Sequence, residues 1–197
     1  MIDIEHVLFW MDAIRNSRDP IRTLESFWKG QIRSKLWLID NLKPFISKKV
    51  DITIYGGWNG VLASLLFQSS IDTNNIKSID IDPNCKETAN TVNKIEEMNG
   101  RFEAITADMC DIGSSADIII NTSCEHITQN QYNLWLNNLS TNSLIILQSN
   151  NYNIPEHIRC HASLDEFKKE SHLKIIWEGE MPTQLYTRYM IIGFRNV

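Results

Sequence analysis

Between residues 51 and 60 the sequence reads DITIYGGWNG, an apolar run of strand-forming residues that opens directly into a glycine-rich turn. A second apolar run, IKSIDIDP at Ile76–Pro83, follows and ends in carboxylates, with Asp80 twenty residues beyond Gly60. A strand, a tight turn, a helix and a second strand in this order define a βαβ unit. That unit confines the chain to an α/β fold whose parallel strands are covered on both faces.

The rest of the chain continues the alternation. Asp51–Tyr55 reads as strand one and Val61–Ser70 as the helix after its turn. Ile76–Asp80 is strand two, and Asp82-Pro83 opens a helix that Asn99-Gly100 stops. Phe102–Ala107 and Asp117–Asn121 supply strands three and four. Thr128 and Gln131 have the spacing of a capping box ahead of a helix over Tyr132–Leu139, and Ser143–Gln148 is strand five. Ser163 and Glu166 repeat the capping signature before a short helix. Leu173–Trp177 and Arg188–Phe194 then close the chain as two strands paired antiparallel. The expected fold is a Rossmann-like, doubly wound, mostly parallel seven-stranded sheet. Residues 1–49 form a helical N-terminal extension and residues 50–197 the core of a single domain. In the extension, Val7, Trp10, Met11 and Ile14 recur at helical spacing. After Asp19-Pro20 a second run carries Leu24, Phe27, Trp28, Ile32 and Leu36, and the aromatics of both runs read as core contacts.

Composition narrows the partners. With 197 residues, 43% of them hydrophobic, the chain can bury one substantial core. Its net charge of −5 carries no overall attraction for nucleic-acid backbones or anionic membranes. No apolar run reaches the roughly 18 residues needed to span a bilayer, and no signal-peptide pattern is present, so a cytoplasmic location is expected. Cys85, Cys110, Cys124 and Cys160 lack paired spacing and read as free thiols.

Three carboxyl ends of strands point to a nucleoside. Glycines in the turn allow positive φ and close backbone approach to a ligand, and the following helix offers unpaired N–H groups. Asp80, at the end of strand two, can accept hydrogen bonds from both hydroxyls of a ribose. Asp82 reads as the N-cap of the next helix. After strand three, Asp108 can accept from an adenine amino group while Met109 flanks the ring.

On these residues the chain resembles the Rossmann-like S-adenosylmethionine-dependent methyltransferases over roughly Asp51–Leu147. The resemblance implies that Gly56, Gly57 and Gly60 hold the methionine part of S-adenosylmethionine, that Asp80 binds its ribose and that Asp108 binds its adenine. Two positions depart from the family pattern. Ile54 and Tyr55 stand where the family usually has an acid, and Trp58 stands where a second alternating glycine is common. A nicotinamide dehydrogenase is disfavoured because the G-x-G-x-x-G spacing is absent.

In the resembling enzymes the loop after strand four faces the transferable methyl group. Here it reads Asn121-Thr122-Ser123-Cys124-Glu125-His126. His126 is the candidate base, since its ordinary pKa lies near 6.5, and Glu125 could orient it or bind a cationic acceptor. After strand five, Gln148, Asn150, Asn151 and Tyr152 read as a substrate-contacting loop. His157, Cys160 and His161, taken with Cys124 and His126, match no standard structural zinc spacing, so no metal is expected. Trp28, Gln31, Arg33, Lys35 and Trp37 belong to an amphipathic packing helix that could also cover the site. The expected activity is methyl transfer to a small-molecule or peptide acceptor. Aminocarboxypropyl transfer from the same cofactor and a non-catalytic S-adenosylmethionine-binding module are the alternatives.

Overall fold

The computed structural model describes residues 3–196, which fall into two compact units divided after Asp108. The architecture is α/β with a mostly parallel seven-stranded sheet. Strands β3-β2-β1 come from the first unit and β4-β5-β7-β6 from the second.

The first unit opens with three helices, α1 (Ile4–Asn16), α2 (Pro20–Glu25) and α3 (Lys29–Leu42). Asp19 caps α2 by accepting from the N–H of Arg22 at 3.0 Å, with Pro20 pre-set for the first turn. The single periodic run expected from Leu24 to Leu36 is therefore two helices, broken at residues 26–28. The break turns part of the apolar set outward. Trp10 is buried and donates its indole N–H to Ser64 Oγ at 3.1 Å. Trp28, by contrast, is 72% exposed, and Met11, Leu24 and Leu36 are exposed as well.

Next come β1 (Val50–Tyr55), α4 (Val61–Phe67), β2 (Thr73–Asp80), α5 (Pro83–Val92), α6 (Lys94–Met98) and β3 (Phe102–Thr106). β1 pairs parallel with β2, and β2 with β3 in a register that sets Ile76 against Phe102 and Asp80 against Thr106. Residues 61–66 of α4 are all buried, because a helix apolar on nearly every side has no solvent face to offer, and its one polar residue there, Ser64, accepts from Trp10. The helix expected from Pro83 to Asn99 breaks at Asn93. Asn93 Nδ2 donates to the carbonyls of Ala89 (2.9 Å) and Gly60 (3.0 Å), so this side chain trades helix continuity for a tie to the glycine turn.

The second unit holds β4 (Ile118–Asn121), α7 (Gln129–Asn137), β5 (Leu144–Asn150), α8 (Leu164–Ser171), β6 (Leu173–Pro182) and β7 (Thr187–Arg195). β4 and β5 are parallel, and β7 runs antiparallel to both β5 and β6. Every residue of β4 and β5 is buried, as strands with apolar runs covered on both faces require, and their polar ends, Asn121 and Gln148–Asn150, are buried with them. β6 instead alternates between covered and uncovered positions. The capping box at Thr128 and Gln131 forms reciprocally ahead of α7. β5 runs two residues past the expected end at Gln148, because Gln148 and Asn150 pair with Met190 and Arg188 of β7. No helix among the described residues is long and apolar enough to cross a membrane.

Candidate functional site

In the first unit the chemistry gathers at the carboxyl ends of β1 and β2. Gly56 and Gly60 adopt φ of 63° and 71°, the left-handed region open to glycine. Trp58 joins them at φ 46°, so the residue standing in place of an alternating glycine takes a glycine-like conformation. For a bulky L-residue this costs about 1–2 kcal/mol. A charge-assisted hydrogen bond offsets the strain: the Trp58 N–H donates to Asp80 Oδ2 at 2.8 Å. The other carboxylate oxygen of Asp80 accepts from the N–H of Asp82 at 3.0 Å. Asp80 thus holds the glycine turn and the start of α5 together. At Gly57 a Cβ would stand 2.0 Å from Ser78 Oγ and 3.2 Å from Ser78 Cβ, so a side chain here would force β2 or the Ser78 side chain to shift.

Asp82 caps α5 as expected, accepting from the N–H of Asn84 at 2.9 Å. That bond and the Arg22 guanidinium 2.5 Å away hold its carboxyl below the ordinary range. Arg18 donates to Asn84 Oδ1 at 3.1 Å. Ser17, Arg18, Arg22, Asn59, Asn84 and Thr88 line a polar cavity of about 190 Å³. Neither Arg18 nor Arg22 stands out in the sequence, although the cap at Asp19-Pro20 fixes where α2 begins and hence where the Arg22 guanidinium projects. Asp108 follows β3 by two residues and is half-buried.

In the second unit the segment after β4 forms a single 3-10 turn over Cys124–His126. Cys124 is fully buried, and burial pushes its thiol up to about 12, which removes it as a nucleophile. Glu125 is 3% exposed. Its Oε1 accepts from Asn150 Nδ2 at 2.6 Å and lies 3.5 Å from Arg188 Nη1, while its backbone carbonyl accepts from the N–H groups of Ile158 and Arg159. His126 is exposed, and its Nδ1 lies 3.0 Å from the Glu156 carbonyl. The Glu156 carbonyl is thus the hydrogen-bond partner that fixes the His126 ring. A carbonyl only accepts, so Nδ1 donates this bond and Nε2 is the ring nitrogen left for another partner.

Gln148 and Asn150, read as loop residues, lie buried in β5, while Asn151 and Tyr152 follow the strand. Asn150 Oδ1 accepts from the Tyr152 N–H at 2.8 Å, and the Tyr152 ring stacks on Tyr186 with centroids 5.2 Å apart. Of the five residues considered for a metal, His126 and His157 come together, with ring centroids 4.8 Å apart. His161 is held elsewhere, between Ser149 Oγ (2.8 Å) and Glu170 Oε2 (3.1 Å).

The burial of His161 gives a pH dependence. Burial first, and then the Arg159 charge, lower its pKa below the usual 6.5 despite Glu170. The unfolded chain therefore takes up this proton before the folded one does. Stability is full above about pH 6.5 and declines as the pH falls below it. Urea titrations between about pH 7 and pH 5 should show this loss for the native protein and a smaller loss for His161→Gln. Equal losses would place the proton uptake at another group.

No family model and no curated protein matches the sequence. Solved structures match across nearly the whole chain. Magnesium protoporphyrin IX methyltransferase (ChlM) from Synechocystis PCC 6803 with bound SAH superposes with a TM-score of 0.68 at 14% identity, covering 95% of this chain and 93% of that one. MtNAS in complex with MTA and tNA superposes with a TM-score of 0.62 at 15% identity, covering 98% and 70%. The B. subtilis M1A22 tRNA methyltransferase TrmK gives 0.59 at 13% identity, covering 80% and 65%. The fold is that of the Rossmann-like (class I) S-adenosylmethionine-dependent methyltransferases.

Proposed function

We propose that the protein is an S-adenosylmethionine-dependent methyltransferase acting in-line on a small-molecule or peptide acceptor. The observation that carries this reading is the Gly56–Gly60 turn fastened to the Asp80 carboxylate, in a fold shared with an enzyme crystallised with SAH. Gly56, Gly57 and Gly60 bring bare backbone to the methionine part of the cofactor. Asp80 faces the ribose: each of its oxygens spends one acceptor site on a backbone N–H and retains capacity for a hydroxyl. Asp108 serves the adenine amino group and Met109 flanks the ring. With Ile54 and Tyr55 buried where relatives place an acid, the amino-acid end is left to the turn itself.

In the reaction the acceptor attacks the methyl carbon, the carbon–sulfur bond breaks, S-adenosylhomocysteine leaves and a base takes any acceptor proton. Positioning supplies most of the rate. His126 is the base through Nε2. Glu125, held by Asn150 and Arg188, stands behind it as a fixed carboxylate. Asn151 and Tyr152 contact the acceptor, with Gln148 and Asn150 buried beneath them. The net charge of −5 favours a small acceptor over a polyanion.

Aminocarboxypropyl transfer is the second reading, favoured by the likeness to MtNAS, which was crystallised with MTA, and by the left-handed Trp58 in the turn.

Calorimetry with S-adenosylmethionine tests the shared premise. Native protein should bind, and Asp80→Asn should weaken binding by about 1–3 kcal/mol, roughly 5- to 150-fold, through lost charge-assisted contacts. Unchanged affinity would reject the pocket. Incubation with an acceptor panel then separates the readings, since methyl transfer releases S-adenosylhomocysteine and arm transfer releases methylthioadenosine.

A further inference from the structure

We propose that Glu125, His126 and His157 form a binding site for one divalent transition-metal ion of the zinc or cobalt type. The site stands on side-chain geometry in the second unit and does not depend on methyl transfer. One ligating atom from each of the three residues falls within 4.8 Å of the other two.

The two rings are prepared for such a role. His126 Nδ1 lies 3.0 Å from the Glu156 carbonyl, and His157 Nδ1 lies 2.7 Å from the Tyr152 carbonyl. A carbonyl only accepts, so each Nδ1 is the donor in its bond and each Nε2 is the ring nitrogen left to face a metal. Ligating histidines are usually oriented in this way.

The carboxylate adds an independent observation. Glu125 is 3% exposed, and its Oε2 is buried without a hydrogen-bond partner among the described residues, while Oε1 is taken by Asn150 and faces Arg188. A buried, charged, unsatisfied oxygen is costly, and a cation is the partner that would relieve it. Asn150 and Arg188 fix the carboxylate from one side and leave the other oxygen open, as supporting residues do in metal centres. The hydrogen bonds from Ile158 and Arg159 to the Glu125 carbonyl pin the segment carrying His157 against the 3-10 turn.

Around a tetrahedral ion with bonds of about 2.0–2.2 Å, donors stand roughly 3.3–3.6 Å apart. From separations of up to 4.8 Å the donors must close by about 1.2–1.5 Å, which rotation of the exposed His126 and half-buried His157 rings can supply. Two imidazoles and one carboxylate suit zinc and its neighbours, not calcium or magnesium, and leave a fourth position for water. Arg188, 3.5 Å from Glu125, opposes the added charge and should weaken binding relative to a site without it. A bound ion would occupy the Nε2 that serves as the base in the proposed reaction, and the ion's own water would then take that role.

Titration of EDTA-stripped protein with Co²⁺, in the absence of S-adenosylmethionine and acceptor, tests the proposal. Visible ligand-field absorption should saturate at about one Co²⁺ per chain and be displaced by Zn²⁺. His126→Ala and His157→Ala should each weaken binding about tenfold or more while retaining native circular dichroism. The absence of saturable absorption, or binding unchanged in the double histidine variant, would overturn the site. Should either alanine variant misfold, His157→Gln replaces it and must show the same loss. Because no cofactor is present, failure here leaves the methyltransferase reading untouched.

Discussion

Gly60→Ala is expected to destabilise the protein by about 3–5 kcal/mol and to lower Tm by roughly 6–20 °C. Two causes add. Gly60 sits at φ 71°, where an alanine costs about 1–2 kcal/mol. The added Cβ would also stand 2.6 Å from Asn93 Nδ2 and 3.1 Å from Ala89 Cα, so the backbone of α5 must retreat, and the hydrogen bond from Asn93 to the Gly60 carbonyl must lengthen. Gly100 provides an internal control. It has the same φ of 71°, yet no atom lies within 4 Å of its would-be Cβ. Gly100→Ala should therefore cost only the backbone term. Thermal unfolding of the two variants separates conformation from contact, and equal losses would remove the packing argument.

Arg188→Met should cost about 3–5 kcal/mol by leaving Glu125 as an uncompensated buried carboxylate. Burial works against the charge of Arg188, but Glu125 and Tyr186 beside it outweigh that effect and raise its pKa. The pair is imperfect, however. Arg188 Nε finds no hydrogen-bond partner among the described residues, and the Nη1 contact is 3.5 Å. Its net contribution is therefore small even though breaking it is expensive. Combining Arg188→Met with Glu125→Gln should recover most of the loss. Urea unfolding of both singles and the double measures this, with the midpoint moving and the slope unchanged. A double variant as unstable as the sum of the singles would show that the two residues do not act as a pair.

The contrast between these residues explains what could be read in advance. Gly60, Asp80 and Asp82 were legible because strand-to-helix turns and helix caps are short-range devices, in which a few neighbouring residues settle φ and a hydrogen bond. The box at Thr128 and Gln131 was legible for the same reason. The length of β5 was not. Ser149 and Asn150 look like turn residues, and only pairing with Tyr189 and Arg188 of β7, some forty positions later, draws them into the sheet. The exposed Trp28 was missed because helical spacing shows that a face exists and not what covers it. That His126 and His157 could converge was readable from the sequence, but which histidines meet was not, since thirty residues separate them and their meeting depends on backbone hydrogen bonds to Glu125.

Residue order therefore settled the α/β alternation, the turn after β1 and the acids that end β2 and follow β3, because steric limits on φ and the periodicity of apolar residues act over a few positions. Tertiary packing decided which carboxylate is buried against Arg188, how far β5 extends and which histidines share a site. Those outcomes depend on strand register and burial, and both are properties of segments far apart in the chain.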